Sequence, residues 1–358
     1  MGSLVWGPQL LVRGLMEEGI HVNFGITGGH MNSFDDYWSI YGNRLVHCRR
    51  EDSAGYAAEA YAKVTGKIGL CQATVGPGTA NLIPAVNQAA LSNTPMICIL
   101  GQTILSDTDR YAFQHMKGDL IYRTFCRWAK FIDDPTTFLY WIRKAARECT
   151  AYPPMPVALE IALNFIEFAP QALMDPAMQL NYRLDMRHKK ENELPRPVPN
   201  DDEIDTIIGW LLEAERPLVV VGHGGRWPDC GAALKEFTEI TNIPIHQRRA
   251  CRGSVPENHP NHVAGEARGR AFHMADRYLT LGLRFDILEQ FGQWGDNKRF
   301  VQVTEEPLEL WPEIPTDIEA IGNVDATLKK LNRFIREKYL DRFAGKTAWR
   351  DEIQEIKV

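Results

Sequence analysis

The apolar positions of this chain change period repeatedly, and each change marks an element. Leu10, Leu11, Leu15 and Met16 recur at helical spacing and predict an amphipathic helix. Val22-Asn23-Phe24-Gly25-Ile26 reads as a strand that ends in the loop Thr27-Gly28-Gly29-His30. Leu45-Val46-His47-Cys48 is a short apolar strand, and an Ala-rich helix follows over about residues 51–65. Ile68 to Thr74 predicts a strand, and Thr79 to Leu91 a helix. Met96-Ile97-Cys98-Ile99-Leu100 is a continuous apolar run of the kind covered on both faces in a parallel sheet, and Val157-Ala158-Leu159-Glu160-Ile161 is another. This alternation predicts a doubly wound α/β domain over residues 1–170.

The pattern then breaks. Residues 171–200 are expected to form a linker, with charges and prolines crowding its end at Pro195-Arg196-Pro197-Val198-Pro199. Asp201 is the expected N-cap of a helix reaching about Glu213. Pro217-Leu218-Val219-Val220-Val221 is a strand running into the turn Gly222-His223-Gly224-Gly225. Ile243-Pro244-Ile245, Tyr278-Leu279-Thr280-Leu281-Gly282 and Phe300-Val301-Gln302-Val303 continue the alternation. A second doubly wound parallel-sheet domain is therefore expected over 201–338, followed by a polar, helix-favouring tail over 339–358.

A chain of 358 residues suits two domains. The formal net charge of −6 gives no basis for nucleic-acid binding. No apolar run is long enough to span a bilayer. The start of the chain lacks a basic segment before an apolar core, so a cytoplasmic location is expected. Seven cysteines without a CxxC or Cys/His cluster read as free thiols and not as disulfides or metal ligands.

Glu51 stands where the short strand enters the Ala-rich helix. The small residues after it would let a carboxylate lie buried against a flat ligand. The same position also suits an acid that merely favours a helix N-terminus. Gly76 follows 25 residues later in the turn Thr74-Val75-Gly76-Pro77-Gly78-Thr79-Ala80-Asn81. Its glycines permit positive φ and close backbone approach to a ligand, at the strand end where open α/β sheets bind. An ordinary strand-to-helix turn would look similar.

The run from Leu45 to Ala62 and the Thr74–Asn81 turn together resemble the pyrimidine-binding domain of thiamine diphosphate enzymes of the acetolactate synthase and 2-hydroxyacyl-CoA lyase group. The resemblance implies that Glu51 contacts the aminopyrimidine ring of the cofactor. That role needs a largely buried carboxyl that keeps a proton near neutrality. It implies that Thr74, Gly76 and Asn81 lie beside that ring. It also implies that Gly28 and Gly29 border the reacting carbon. His30, next in that loop, suits a proton shuttle or a polar helix-start residue. Tyr111-Ala112-Phe113-Gln114-His115 resembles the group's Phe-Gln-Glu segment, which places Gln114 near the substrate and puts the imidazole of His115 where the family has a carboxylate. A plain surface loop over Asp107–Asp119 is the other reading.

The second domain resembles the family's central domain, with Arg252-Gly253-Ser254-Val255-Pro256-Glu257-Asn258-His259-Pro260 close to its Gly-x-x-Pro-x-x-His-Pro run. Gly282-Leu283-Arg284-Phe285-Asp286, Phe291-Gly292 and Trp294 look like the acyl-CoA branch, which implies ADP or CoA there. Gly222, His223, Gly224 and Arg284 are the candidate contacts; His223 and Arg226 fit solvent equally well.

The family's diphosphate-binding domain is marked by Gly-Asp-Gly and a later Asn that bring Mg²⁺ its oxygen ligands. This sequence contains no Asp-Gly dipeptide, and its Gly-Asp pairs continue to Leu120 and Asn297. No metal ligand is therefore assigned here. The expectation is one subunit of a split thiamine diphosphate-dependent C–C lyase or ligase of 2-hydroxyacyl-CoA lyase type. A separate diphosphate-binding subunit would supply the Mg²⁺ ligands in a symmetric hetero-oligomer acting on a small acyl-CoA or a 2-oxo or 2-hydroxy acid. The alternatives are an acetolactate synthase-like carboligase, a 2-oxoacid decarboxylase subunit, and a non-catalytic nucleotide-binding regulatory subunit.

Overall fold

The computed structural model describes residues 4–167, 173–174, 194–227 and 229–357, in two compact units, Met1–Leu194 and Pro195–Val358. Most of the expected linker over 171–200 lies outside the described residues.

The first unit holds a six-stranded, wholly parallel sheet in the order β3-β2-β4-β5-β7-β6. Its strands are β2 (Val22–Gly25), β3 (Arg44–His47), β4 (Gly69–Ala73), β5 (Met96–Gln102), β6 (Trp128–Ile132) and β7 (Val157–Ala162). A short antiparallel ribbon pairs β1 (Val5–Trp6) with β8 (Leu173–Met174). The helices are α1 (Gly7–Glu17), α2 (Asn32–Ile40), α3 (Glu51–Thr65), α4 (Pro77–Leu91), α5 (Gly118–Tyr122), α6 (Phe138–Cys149) and α7 (Leu163–Ile166). Strands β4, β5 and β7 are buried throughout, as their apolar runs predict. One core collects Leu10, Leu15, Trp38, Ile99 and Ile142; the other collects Ala54, Ala58, Leu82, Val86 and Tyr122.

The small residues of α3 have a structural reason that differs from the expected ligand contact. A Cβ on Gly55 would stand 2.6 Å from the Ala85 Cβ and 2.8 Å from Leu82 Cδ1. The run therefore lies against α4 and brings the two helices close.

The second unit holds a five-stranded parallel sheet in the order β10-β9-β11-β12-β13. Its strands are β9 (Pro217–Val221), β10 (Ile245–Gln247), β11 (Arg277–Leu281), β12 (Arg299–Thr304) and β13 (Thr316–Ile321). Its helices are α8 (Asp201–Leu212), α9 (Gly231–Thr241), α10 (Glu266–Met274), α11 (Val324–Phe334), α12 (Leu340–Phe343) and α13 (Ala348–Lys357). The N-cap of α8 is Asn200 and not the expected Asp201. The Asn200 side chain accepts from the Glu203 N–H while the Glu203 carboxylate accepts from the Asn200 N–H, a reciprocal pair open only to the residue before the helix. Asp201 is the first helical residue, where its charge still favours the dipole. Tyr278, Phe285, Trp294 and Phe300 form one buried aromatic cluster, so Phe285 and Trp294 serve the core, whereas Phe291 is exposed.

All seven cysteines are free. Cys71, Cys98, Cys126 and Cys149 are buried in the first unit and Cys230 and Cys251 in the second, while Cys48 is only half-buried.

Candidate functional site

The first sheet reverses its strand order between β2 and β4 and again where β7 inserts between β5 and β6; the second reverses between β9 and β11. Ligands of open α/β sheets lie at the carboxyl ends of the strands beside such points.

In the first unit the loops after β2 and β4 touch. A Cβ on Gly28 would stand 2.6 Å from the Thr74 Cβ, so glycine permits the contact. Gly29 is exposed and faces open space. His30 precedes α2, and its Nδ1 lies 3.4 Å from Thr74 Oγ1. Burial lowers its pKa, against an opposing pull from Glu167.

Beyond Thr74 the chain turns at Gly76, with φ +65°, to start α4. That φ belongs to the left-handed side that glycine tolerates, and an added Cβ would overlap the Gln114 carbonyl oxygen. Thr79 Oγ1 donates to the Thr74 carbonyl at 3.0 Å and closes the turn. Glu51 is the first residue of α3, and Asn81 on α4 donates from Nδ2 to its Oε2 at 3.1 Å. A Cβ on Gly78 would lie 3.3 Å from Glu51 Oε1, so glycine keeps that oxygen's surroundings open. Glu51, Thr74, Gly76 and Asn81 thus converge. Glu51 is half-buried, less enclosed than its expected role implied.

Gln114 joins this group through its backbone. The loop that carries it has three non-glycine residues at positive φ, Asp109 (61°), Tyr111 (57°) and Gln114 (60°). Such conformations cost energy and persist only where surrounding contacts hold them. His115 faces the end of β5: its Nδ1 is 3.2 Å from Gln102 Oε1 and 3.4 Å from Thr103 Oγ1.

Two residues of this region were not anticipated. Gln102 Nε2 donates to Glu160 Oε1 at 2.9 Å and to the Met116 carbonyl at 2.6 Å. Glu160 also accepts from the N–H groups of Gly118 (3.0 Å) and Asp119 (2.9 Å) at the start of α5. The available signal was a polar residue inside each of two otherwise apolar buried strands, where an unpaired group would be costly.

Burial pushes the Glu160 carboxyl up to about 7 from 4.5. The folded chain therefore keeps a proton that the unfolded chain releases. This contribution to stability is full below pH 4.5 and is lost as pH rises through about 7. Thermal melts across that window should fall more steeply with pH for the wild type than for Glu160→Gln. Parallel slopes would contradict the assignment.

In the second unit the Gly222–Gly225 turn packs on backbone. A Cβ on Gly222 would stand 2.6 Å from the Leu283 Cα, and one on Gly282 would stand 2.5 Å from the Gly224 Cα. These glycines let the chain pass after β9 beside the chain after β11, which accounts for them without a phosphate. His223 Nε2 lies 3.3 Å from Glu309 Oε1, and Arg284 Nε donates to the same oxygen at 2.7 Å. Thr304 Oγ1 donates to Glu309 Oε2 at 3.2 Å. The four candidate contacts are brought together, but about a half-buried acid, Glu309, that sequence reasoning missed. Arg226 lies over the Trp227 ring at 5.3 Å. A groove of about 550 Å³ opens beside α10, lined by Gly265, Arg268, His273, Gln290 and Gln293 among others.

Among the described residues no group of three or more His, Cys, Asp or Glu is placed to hold a metal ion. No described helix is long and apolar enough to cross a membrane.

Residues 5–121 match the model of the thiamine pyrophosphate enzyme N-terminal TPP binding domain, and residues 204–331 that of the thiamine pyrophosphate enzyme central domain. Oxalyl-CoA decarboxylase of Escherichia coli (strain K12) is 25% identical over 349 residues, covering 96% of this chain and 60% of the relative. An acetolactate synthase large subunit of Corynebacterium glutamicum is 28% identical over 341 residues, covering 91% of this chain and 52% of the relative. The chain thus spans little more than half the length of the curated relatives it matches. With both units matched in order, the chain belongs to the thiamine pyrophosphate enzyme family, whose N-terminal and central domains it carries.

Proposed function

We propose that this chain forms the pyrimidine side of the active site of a thiamine diphosphate-dependent carbon–carbon lyase or ligase of 2-hydroxyacyl-CoA lyase type. The observation that carries this reading is the Glu51–Asn81 pair beside the Gly76 turn. Asn81 fixes Oε2, and among the described residues no donor is bonded to Oε1. That oxygen fits a ring nitrogen of an aminopyrimidine. When bound, the cofactor supplies a ring carbon that stabilises negative charge next to a carbonyl. Glu51 would hydrogen-bond the ring through Oε1, Asn81 keeps the carboxyl plane from turning, and the Gly76 turn would admit the ring edge close to backbone. His30 beside Thr74 and His115 beside Gln102 bring imidazoles to this region.

The likeness to oxalyl-CoA decarboxylase supports an acyl-CoA substrate, and the likeness to an acetolactate synthase supports a carboligase as the second reading. The groove beside α10, with Arg268 at its wall, suits the adenine nucleotide part of CoA. ADP or CoA should then raise the melting temperature by linkage, and FAD should not. A yellow protein with stoichiometric flavin would favour the acetolactate synthase reading.

Mg²⁺ and the diphosphate would be held by a diphosphate-binding partner in a symmetric hetero-oligomer. These 358 residues contain no Asp-Gly dipeptide, so the ligands would come from outside them. Calorimetric titration of thiamine diphosphate and Mg²⁺ tests it. Weak binding is expected for this chain, and tight Mg²⁺-dependent binding once the partner is added. Tight Mg²⁺-dependent binding by these residues alone would refute the division of ligands.

A further inference from the structure

We infer that Gln102, oriented by Glu160, holds His115 as its Nδ1–H tautomer and leaves Nε2 as a proton-accepting atom. One amide decides the tautomer. One end of the Gln102 side chain faces two acceptors, Glu160 Oε1 at 2.9 Å and the Met116 carbonyl at 2.6 Å, so that end is the NH₂. The other end is then the carbonyl oxygen, which already accepts from the Thr103 N–H at 2.8 Å. His115 Nδ1 lies 3.2 Å from the same oxygen and must donate to it. The hydroxyl of Thr103, 3.4 Å from Nδ1, rotates and imposes nothing. Which ring nitrogen of a neutral histidine keeps its proton is set by the bond the other makes.

Nε2 is left with its lone pair. It is enclosed and hydrogen-bonded to nothing among the described residues, with Asp109 Oδ1 3.9 Å away. Lys117 Nζ neutralises Asp109 at 3.0 Å, and Glu160 and Asp119 stand on the far side of Gln102. A neutral His115 so held takes a hydrogen bond or a proton from a hydroxyl and does not donate to a carbonyl. A substrate with an O–H on the carbon next to its carbonyl would match that acceptor once Nε2, enclosed in this state, is exposed. The tautomer is a property of the chain itself; its meeting such a substrate rests on the proposed function. Gln102 and Glu160 are positioning residues.

The test is ¹⁵N NMR of histidine-labelled protein at mildly alkaline pH, with the His115 signals identified by their loss in His115→Asn. Wild type should show a pyrrole-type Nδ1 and a pyridine-type Nε2. Thr103→Val should leave this pattern, and Gln102→Leu should move it toward the Nε2–H form. A wild-type Nε2–H signal, or a switch caused by Thr103→Val, would overturn the inference even if Gln102→Leu fails to fold. Because the readout needs no cofactor, a wrong tautomer and a failure to bind thiamine diphosphate are separate results.

Discussion

Glu51→Gln will leave the fold intact and lower turnover of the complete enzyme by about 100-fold or more, a barrier increase of about 2.7 kcal/mol. The amide matches the carboxyl in shape and can still meet Asn81. It cannot hand a proton to a ring nitrogen and take it back. The structure makes the substitution selective: Glu51 is half-buried at the first position of α3, and the packing of α3 on α4 runs through Ala54, Gly55 and Ala58 instead. Melting temperature and kcat should therefore part company. Turnover within about tenfold of wild type, or less than about 1.4 kcal/mol, would remove Glu51 from the mechanism. A fall in melting temperature matching the loss of turnover would assign it a structural role.

Gly76→Ala is expected to have the largest effect on stability. Its φ of +65° costs an L-residue about 1–2 kcal/mol. The new Cβ would also overlap the Gln114 carbonyl, and relief of such overpacking typically costs about 1–3 kcal/mol more. The relief has to come from the 103–117 loop, so thiamine diphosphate affinity of the assembled enzyme should fall as well. Gly29→Ala is the control, since a Cβ there meets nothing within 4 Å. Urea denaturation should separate the two by several kilocalories, and equal midpoints would discredit the account.

The readable part of this chain was the part governed by burial. Met96–Leu100 and Val157–Ile161 lie in strands covered on both faces, and such strands announce themselves by continuous apolar runs. Trp128–Ile132 escaped because it is an edge strand, where Lys130 interrupts the run. The Gly76 turn was legible because only glycine tolerates its backbone. The bond from Asn81 to Glu51 was not, because it depends on how closely α3 meets α4, which Gly55 and Ala85 decide. Gln102 and Glu160 were hidden by the apolar residues around them: periodicity assigns a strand and says nothing about one polar side chain pairing across it. The Gly222 turn is ambiguous in sequence, since a glycine needed beside another backbone resembles one needed beside a phosphate.

The distribution of thiols gives this protein a built-in meter of its own breathing. Cys48 alone is half-exposed and should react with a thiol reagent in the native state. Burial raises the Cys126 and Cys149 thiols and denies them both thiolate and access, so their labelling waits for the first sheet to open. Cys230 and Cys251 keep the same kind of clock for the second unit. Mass spectrometry of peptides from a timed labelling run would therefore date the opening of each unit separately, without an added probe. A cofactor held by the first unit alone would slow one clock and leave the other running at its own rate.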